Sequence, residues 1–186
     1  MTKKRITFAA VALIALSVVS TDANAQLKGE AMLGYGFDDA FRLGIGVRAG
    51  KDGLIESQKQ IYIGGVFAYH LGKSEGAGDS KVSANVWYLG GDVGYNIPLE
   101  GQSFTLRASS YIGIANVSVT TSVPQDPFLG GGGGSTSSSS SELMIAPGAT
   151  AFFPLGNGLT FGADARFFII SNSNSFVINA TIGKSF

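Results

Sequence analysis

Apolar and polar residues alternate with a period of two along most of the chain after residue 26, and this alternation predicts β-strands. Successive side chains of a strand point to opposite faces, so each stretch has one apolar face and one face of small or polar residues. In the second stretch, Phe41 and Ile45 fall on the apolar face, and Arg42 and Arg48 fall on the other. The eight predicted strands are Lys28–Phe37, Phe41–Ala49, Ile61–Leu71, Ser83–Ile97, Phe104–Val119, Leu143–Phe153, Leu159–Ile170 and Phe176–Phe186.

Two of these strands contain irregularities. The alternation of the fifth blurs near Asn116–Val119, and Pro147 interrupts the sixth, so a β-bulge or register change is predicted in each. Between these strands lies a low-complexity tract from about Thr120 to Ser141, which contains Gly130–Gly134 and Ser137–Ser141. A tract of this composition cannot pack a core, and it is predicted to form a flexible loop.

The connections between the predicted strands differ in length on the two sides of the sheet. An even number of strands places both chain ends on one side of a membrane, which would be the periplasmic side. The Gly/Ser tract, Gly72–Lys81 and Ser171–Ser175 would then be external loops, and Pro98–Gly101 and Pro154–Gly158 would be periplasmic turns. The connection near Gly50–Lys59 is longer than a typical periplasmic turn.

The charged residues of the strands fall on the face opposite the apolar one. They are Glu30, Arg42, Arg48, Asp92, Arg107, Asp164 and Arg166. Many glycines share this face, including Gly44, Gly64 and Gly90. The wet face of a soluble β-sandwich has no need of small residues, whereas the inside of a narrow barrel does. A membrane barrel with the charges inside is therefore favoured, because a charge facing lipid costs about 2–4 kcal/mol at the midplane.

Aromatic residues on the apolar face suit lipid and its interfaces. They are Tyr35, Phe37, Phe41, Phe67, Tyr69, Trp87 and Tyr95.

The first 25 residues have the pattern of a cleaved secretory signal peptide. Lys3, Lys4 and Arg5 precede an apolar run from Ile6 to Val19, and Ala23–Ala25 supplies small residues before the predicted cleavage site. The apolar run is short for a transmembrane anchor, which needs about 20 residues. The chain has no cysteine, which excludes a lipoprotein anchor and a disulfide framework. Residues 26–186 are therefore predicted to form the exported domain.

The charge of this exported domain does not favour nucleic acid as a partner. Residues 26–186 contain 10 basic and 12 acidic residues, so the net charge is about −2. They also contain no run of about 18 apolar residues, so no membrane helix is predicted after the signal peptide.

The last predicted strand carries the alternation to the end of the chain. Phe176, Ile178, Ala180, Ile182 and Phe186 share one face, and only Lys184 departs from the apolar pattern. An aromatic C-terminal residue preceded by apolar residues at alternate positions resembles the closing strand of bacterial outer-membrane β-barrels. The chain is similar to the small OmpA/OmpX-type proteins over essentially the whole of residues 26–186. The predicted fold class is all-β, an eight-stranded antiparallel transmembrane up-and-down β-barrel.

The resemblance implies a location in the bacterial outer membrane of a Gram-negative cell, contact with outer-membrane lipid, and a monomeric state. It also implies that the barrel-assembly machinery reads the closing strand. The predicted function is a structural or surface-interaction role that uses the loops, without catalysis. A narrow gated pore is the alternative. The cell-wall-binding domain of larger relatives is not expected after Phe186.

The predicted interior charges lie at heights that permit pairing. Both Glu30 and Arg48 lie near the periplasmic end of the first hairpin, so these two can pair. Likewise, Asp92 and Arg107 lie at similar distances from the Pro98 turn, and Asp164 lies two residues from Arg166. In a barrel this narrow, a paired network that fills the interior is favoured over a charged constriction in a pore.

No motif for catalysis, a cofactor or a metal is found. The only histidine, His70, lies near Ser74, Glu75 and Asp79 without the arrangement of a catalytic triad. No cluster has metal-ligand spacing, and Gly130–Gly134 lacks the lysine and helix of a phosphate-binding loop. The protein is predicted not to be an enzyme.

Overall fold

Eight antiparallel strands form one closed barrel in the computed structural model, which describes residues 27–55, 57–77, 80–123, 133–171 and 173–186. Each strand pairs with its sequence neighbours, and β1 closes the barrel against β8. The strands are β1 Leu27–Gly36, β2 Leu43–Asp52, β3 Ile61–Ala77, β4 Ser80–Pro98, β5 Thr105–Val123, β6 Gly134–Gly156, β7 Leu159–Ile170 and β8 Ser173–Ser185. The predicted fold class is confirmed. The predicted signal peptide lies outside the described residues.

The outer surface of the barrel is apolar, and the interior is filled with side chains. Along β7, for example, Phe161, Phe167 and Ile169 are exposed, whereas Asp164 and Arg166 are buried. This arrangement follows from the period of two, because a closed sheet sends alternate residues outward and inward. In the part of the chain that the structure describes, no helix is long and apolar enough to cross a bilayer.

The two ends of the barrel differ. We call the end with the β3–β4 and β5–β6 hairpins the upper end, and the end with the Pro98–Gly101 turn the lower end. The four strands β3–β6 extend further at the upper end than the sequence predicted. Most of the predicted loop Gly72–Lys81 is strand, with Gly76 paired to Lys81.

The prediction of one flexible loop from about Thr120 to Ser141 was also wrong at both of its ends. The run Ser135–Ser141 belongs to β6 and pairs residue by residue with β5, from Ser122 to Asn116. A β-ladder is made by backbone groups, so a strand needs a partner strand but no apolar side chains. Residues 124–132, in the middle of the predicted loop, lie outside the described residues.

The predicted irregularities of the fifth and sixth strands do not occur in the β4–β5 and β5–β6 ladders. Both ladders keep one register throughout, including the pairs Ser118 with Ser139 and Ser110 with Pro147. The β6–β7 ladder is interrupted at Ala146 and Pro147 but keeps its register across them, and its register shifts between Pro154 and Gly156, beside the tight lower turn. A second shift lies between Leu71 and Ser74 in β3, where that strand rises past the end of β2.

Phe41 was predicted on the outer face, and this prediction was wrong. Its side chain is completely buried and lies inside the barrel. Because β2 begins only at Leu43, Phe41 belongs to the β1–β2 connection, where alternation no longer fixes direction. Gly36 makes room for it, since a Cβ at Gly36 would collide with the backbone and Cβ of Phe41.

Two adjacent glycines of β4 provide a test of the close packing inside the barrel. A Cβ on Gly90 would lie 2.7 Å from the carbonyl oxygen of Ile112 and 3.1 Å from Cα of Gly113, which are backbone atoms that cannot move aside. A Cβ on Gly91 would meet only ordinary contacts at 3.9 Å. We expect Gly90→Ala to lower the free energy of unfolding in urea by about 1–3 kcal/mol, and Gly91→Ala to change it by less than about 0.5 kcal/mol. Equal effects would contradict this account of the packing.

Candidate functional site: the interior of the barrel

A charged network centred on Arg48 occupies the middle of the interior. The Arg48 guanidinium donates to a carboxylate oxygen of Glu30 in a short ion pair. Its Nη1 also lies 3.5 Å from Asp92 Oδ2 and 3.5 Å from Asp164 Oδ2, and it donates to the Tyr111 hydroxyl at 3.1 Å. With Thr150 Oγ1 at 3.5 Å, five strands supply the partners of this one arginine, so the network ties opposite sides of the barrel together.

Arg166 and Asp164 extend this network along the wall formed by β5–β8. Arg166 Nη2 lies 2.9 Å from Asp164 Oδ2 and donates to Ser109 Oγ at 2.8 Å. Asp164 also accepts hydrogen bonds from Thr150 Oγ1 at 2.6 Å and from Asn179 Nδ2 at 2.8 Å. The Asp164 carboxylate is therefore both charge-paired and hydrogen-bonded, as a buried charge must be.

Arg107 forms a second charged group nearer the lower end. Its Nε donates to Asn96 Oδ1 at 2.9 Å, and its Nη2 lies 3.3 Å from Asp52 Oδ1. The guanidinium stacks on Tyr62, 3.6 Å from the centre of the ring. Its Nη1 lies 3.8 Å from Glu30 Oε1, which links this group to the network around Arg48.

The structure brings together six of the seven charged residues that the sequence placed inside. Glu30 pairs with Arg48, as expected from their similar positions along the barrel axis. Asp92, however, contacts Arg48 and has no ion pair with Arg107 among the described residues. The reason is the direction of the Arg107 side chain, which runs over Tyr62 toward the lower end. Alternation fixes the face of a residue, and it leaves the course of a long side chain open.

Arg42 is the exception and lies apart from the network, at the upper rim. It donates to Asp39 Oδ1 at 2.7 Å and to the hydroxyl of Tyr35 at 2.7 Å. Like Phe41, it precedes the first residue of β2, so its predicted inward direction does not hold. The hydrogen bond from Arg42 holds the pKa of the exposed Asp39 carboxyl below its usual value.

Asp52 is a member of the charged group that the sequence analysis missed. Its carboxylate lies 2.5 Å from Lys28 Nζ and accepts a hydrogen bond from Asn96 Nδ2 at 2.7 Å. The predicted β2 ended at Ala49, whereas the strand continues to Asp52. The alternation Arg48, Gly50, Asp52 continues the polar face and is the signal that would have found it.

Above the charged network, aromatic rings fill the interior. The ring centre of Phe41 lies 5.2 Å from that of His70 and 5.2 Å from that of Phe168. Tyr88 packs on Phe168 at 5.0 Å and on His70 at 5.8 Å. All four side chains are almost completely buried. We call these four residues the aromatic plug.

Below the charged network, a small cavity lies at the lower end. Its volume is about 120 Å³. Eight of its ten lining residues are polar or charged, and the lining consists of Lys28, Glu30, Asn96, Ser103, Thr105, Phe152, Pro154, Thr160, Lys184 and Ser185. The interior therefore changes from a polar cavity at the lower end to packed rings at the upper end.

The arrangement around His70 gives no support to catalysis. The imidazole is packed between Phe41 and Tyr88, whereas a triad would need it beside a serine and a carboxylate. Among the described residues, no group of three histidine, aspartate or glutamate side chains could hold a metal ion.

The five residues predicted as an assembly signal all face outward. Phe176, Ile178, Ile182 and Phe186 are exposed large apolar residues, and Ala180 is exposed between them. Lys184 shares this face, with its ammonium 5.5 Å from the centre of the Phe186 ring. β8 pairs with β1 on one edge and β7 on the other, so it is the strand at which the barrel closes.

The apolar outer surface and the filled interior define a small eight-stranded barrel of the kind found in bacterial outer membranes. Three solved structures share the fold at low sequence identity. A major outer membrane protein from Thermus thermophilus matches with a TM-score of 0.69 and 12% identity, over 87% of this chain and 99% of that chain. Ail, the attachment invasion locus protein of Yersinia pestis, matches with a TM-score of 0.57 and 12% identity, over 87% and 97%.

The N-terminal β-barrel domain of Pseudomonas aeruginosa OprF matches with a TM-score of 0.54 and 13% identity, over 87% of this chain and 97% of that domain. No family profile matches the sequence. No curated protein is significantly similar to it in sequence. The similarity therefore establishes the fold.

Proposed function

We propose that this protein is an integral barrel of the bacterial outer membrane whose function is surface interaction through the upper part of the β5–β6 hairpin. The upper end faces outward from the cell in this proposal, and the lower turns face the periplasm. Outer-membrane lipid contacts the apolar surface, and the assembly machinery recognises β8. The filled interior favours this role over the narrow gated pore, which is the alternative function.

The observation that carries the proposal is an open strand edge on β6. The pairing of β6 with β7 begins at Met144, opposite the last residue of β7, Ile170. Among the described residues, the backbone of the segment Gly134–Ser141 continues above that point and forms ladder pairs with β5 alone. An open edge presents backbone N–H and C=O groups that can pair with another extended chain.

The side chains of this segment do not protect the edge. Natural proteins block open edges with charged residues, proline or bulges. Between Gly134 and Ser141 the chain contains only glycine, serine and threonine, and its register with β5 is regular. At the opposite side of the raised sheet, β3 carries Lys73 and Glu75, which form a short ion pair. The β6 edge is therefore the better interaction surface, and its partner class is an extended polypeptide segment.

A synthetic peptide with the sequence of residues 114–123 is a suitable probe, because this segment of β5 already pairs with residues 134–143. We expect saturable binding of the labelled peptide to the refolded barrel, measured by fluorescence anisotropy. The double variant Thr136→Lys, Ser138→Lys places two cations along the open edge and is expected to weaken binding at least about ten-fold.

The matched control is Thr121→Lys, Val119→Lys. These two residues lie directly opposite Thr136 and Ser138 in the ladder, but on β5, which has a partner strand on both edges. The control variant is expected to bind the peptide like the wild type. No binding by the wild type, or equal weakening in both variants, would remove the β6 edge as the interaction surface.

A further inference from the structure

The interior of the barrel has two parts of opposite chemistry, and we infer that it is a half-channel. Water and small ions enter its lower part from the lower end, and the aromatic plug closes its upper part. The plug is therefore the barrier to conduction, and the charged network below it is a hydrated site. This inference rests on the proposed position of the barrel in a membrane.

The lower part is suited to water because a cavity lies beside several buried polar atoms that have no hydrogen-bond partner in the protein. They include Glu30 Oε1, Arg107 Nη1 and the hydroxyl of Tyr62. Buried polar groups are nearly always hydrogen-bonded, and bound water is the usual partner where the protein supplies none. The 3.8 Å between Glu30 Oε1 and Arg107 Nη1 is too long for a direct hydrogen bond and fits one bridged by water.

These atoms are connected to the cavity at the lower end. Glu30 and Asn96 line that cavity, and Asn96 accepts the hydrogen bond from Arg107 Nε. A cavity of about 120 Å³ exceeds the roughly 10–15 Å³ of cavity volume that one water molecule needs. A hydrated path therefore leads from the lower end to the charged network.

The upper part excludes water because packed rings fill it, although two of its polar atoms, His70 Nδ1 and the Tyr88 hydroxyl, also have no hydrogen-bond partner in the protein. Phe168 contacts Phe41, Tyr88 and Tyr111, so its ring joins the plug to the network below. Val86 and Val177 are completely buried in the same core cluster. A constriction of apolar side chains blocks ions by remaining dry.

Phe41 differs from the rest of the plug in its origin. His70, Tyr88 and Phe168 stand on strands β3, β4 and β7, whereas Phe41 comes from the connection between β1 and β2. The connection is held by a few backbone hydrogen bonds, in which Phe41 N–H donates to Asp38 O at 3.1 Å and Lys73 N–H of β3 donates to Asp39 O at 2.6 Å. The ring can therefore leave the interior through a change in this connection that keeps every ladder pair of β1 and β2. This makes Phe41 the movable part of the plug.

Conductance in planar bilayers tests the position of the barrier. We expect the wild type to be silent and the double variant Phe41→Ala, Phe168→Ala to conduct small ions. The matched control is Phe37→Ala, Phe176→Ala, which removes a ring pair 5.9 Å apart on the outer surface. This control is expected to stay silent. Heat-modifiable gel mobility shows for each variant that the barrel has folded.

The variant Asp92→Ala, Arg107→Ala tests whether the charged network is the barrier, because it removes charges and leaves the aromatic plug intact. If this variant conducts while the folded Phe41→Ala, Phe168→Ala variant is silent, the charged network is the barrier and the inference is overturned. Conduction by the wild type overturns it as well. A barrel that does not insert into bilayers contradicts the proposed membrane location, which is a separate failure.

Thiol reactivity in single variants tests the two parts without deleting the plug, since the chain contains no cysteine. Thr105 lines the lower cavity, and the buried Ala115 pairs with Tyr88 beside the plug. We expect Thr105→Cys to react quickly with a small charged thiol reagent and Ala115→Cys to react at least about 100-fold more slowly. Adding Phe41→Ala should increase the rate at Ala115→Cys. Equal rates at the two positions would overturn the division of the interior.

Discussion

Replacing Arg48 by alanine is expected to lower the free energy of unfolding by about 3–5 kcal/mol, which is typical for breaking a buried ion pair by removing one partner. Arg48 is 1% exposed and contacts Glu30, Asp92 and Asp164. The variant leaves these carboxylates without the cation that links them, in a place where an unpaired charge is costly. The measurement is equilibrium unfolding in urea of the protein refolded in lipid vesicles.

Arg42→Ala is the matched control for this prediction, because Arg42 pairs with the exposed Asp39 at the rim. Exposed ion pairs contribute about 0–1 kcal/mol, so the control should remain close to the wild type. A second variant, Arg48→Met combined with Glu30→Gln, is expected to recover part of the lost stability, since it neutralises one of the stranded carboxylates. Equal stability of Arg48→Ala and Arg42→Ala would show that the network does not hold the barrel together.

The sequence predicts the number of strands and their faces because one physical requirement acts along the whole wall. Lipid outside and a filled interior force every residue of the wall to one side or the other, so period two is nearly unbroken. In β7, Phe161 and Phe167 face outward while Asp164 and Arg166 face inward, as the alternation predicts. Glycines such as Gly90 fall on the inner face because neighbouring backbone leaves no room for a Cβ.

The requirement to face either lipid or the filled interior applies only within the membrane. Beyond its rim, the sequence predicts strands and side-chain directions less accurately. The serine run in β6 is strand because β5 supplies its hydrogen-bond partners, and nothing in its side chains indicates this. Phe41 and Arg42 precede the first residue of β2, so the alternation of faces predicts the wrong direction for both side chains. The open edge and the aromatic plug, which carry our two proposals, both depend on residues of this kind.

Pairing inside the barrel is the other part that sequence leaves open. The alternation placed Asp92 and Arg107 on the inner face, but the ion-pair partner of each depends on side-chain length and on the neighbouring rings. Arg107 follows Tyr62 down to Asp52, and Asp92 contacts Arg48 instead. Contacts across the interior join strands that are distant in sequence, and no local pattern records them.

An arginine on the outer surface is expected to be almost as destabilising as the loss of the central one. Ile112 is 57% exposed and pairs with Gly91 of β4. Gly91 lies midway between Trp87 and Tyr95, two aromatic residues of the kind found at the two membrane interfaces, so Ile112 lies near the midplane. Ile112→Arg should lower the free energy of unfolding in lipid vesicles by about 2–4 kcal/mol, the cost of a cation near the midplane.

The control is the same substitution at Ile55, which is 44% exposed but lies in the connection between β2 and β3, outside the strands. Near the interface the cost of arginine falls to about 0–1 kcal/mol, so Ile55→Arg should unfold like the wild type. Both substitutions add the same charge to an exposed position, and only depth in the bilayer distinguishes them. If the two variants were equally stable, the outer surface would be facing water, and the proposed membrane location would have to be abandoned.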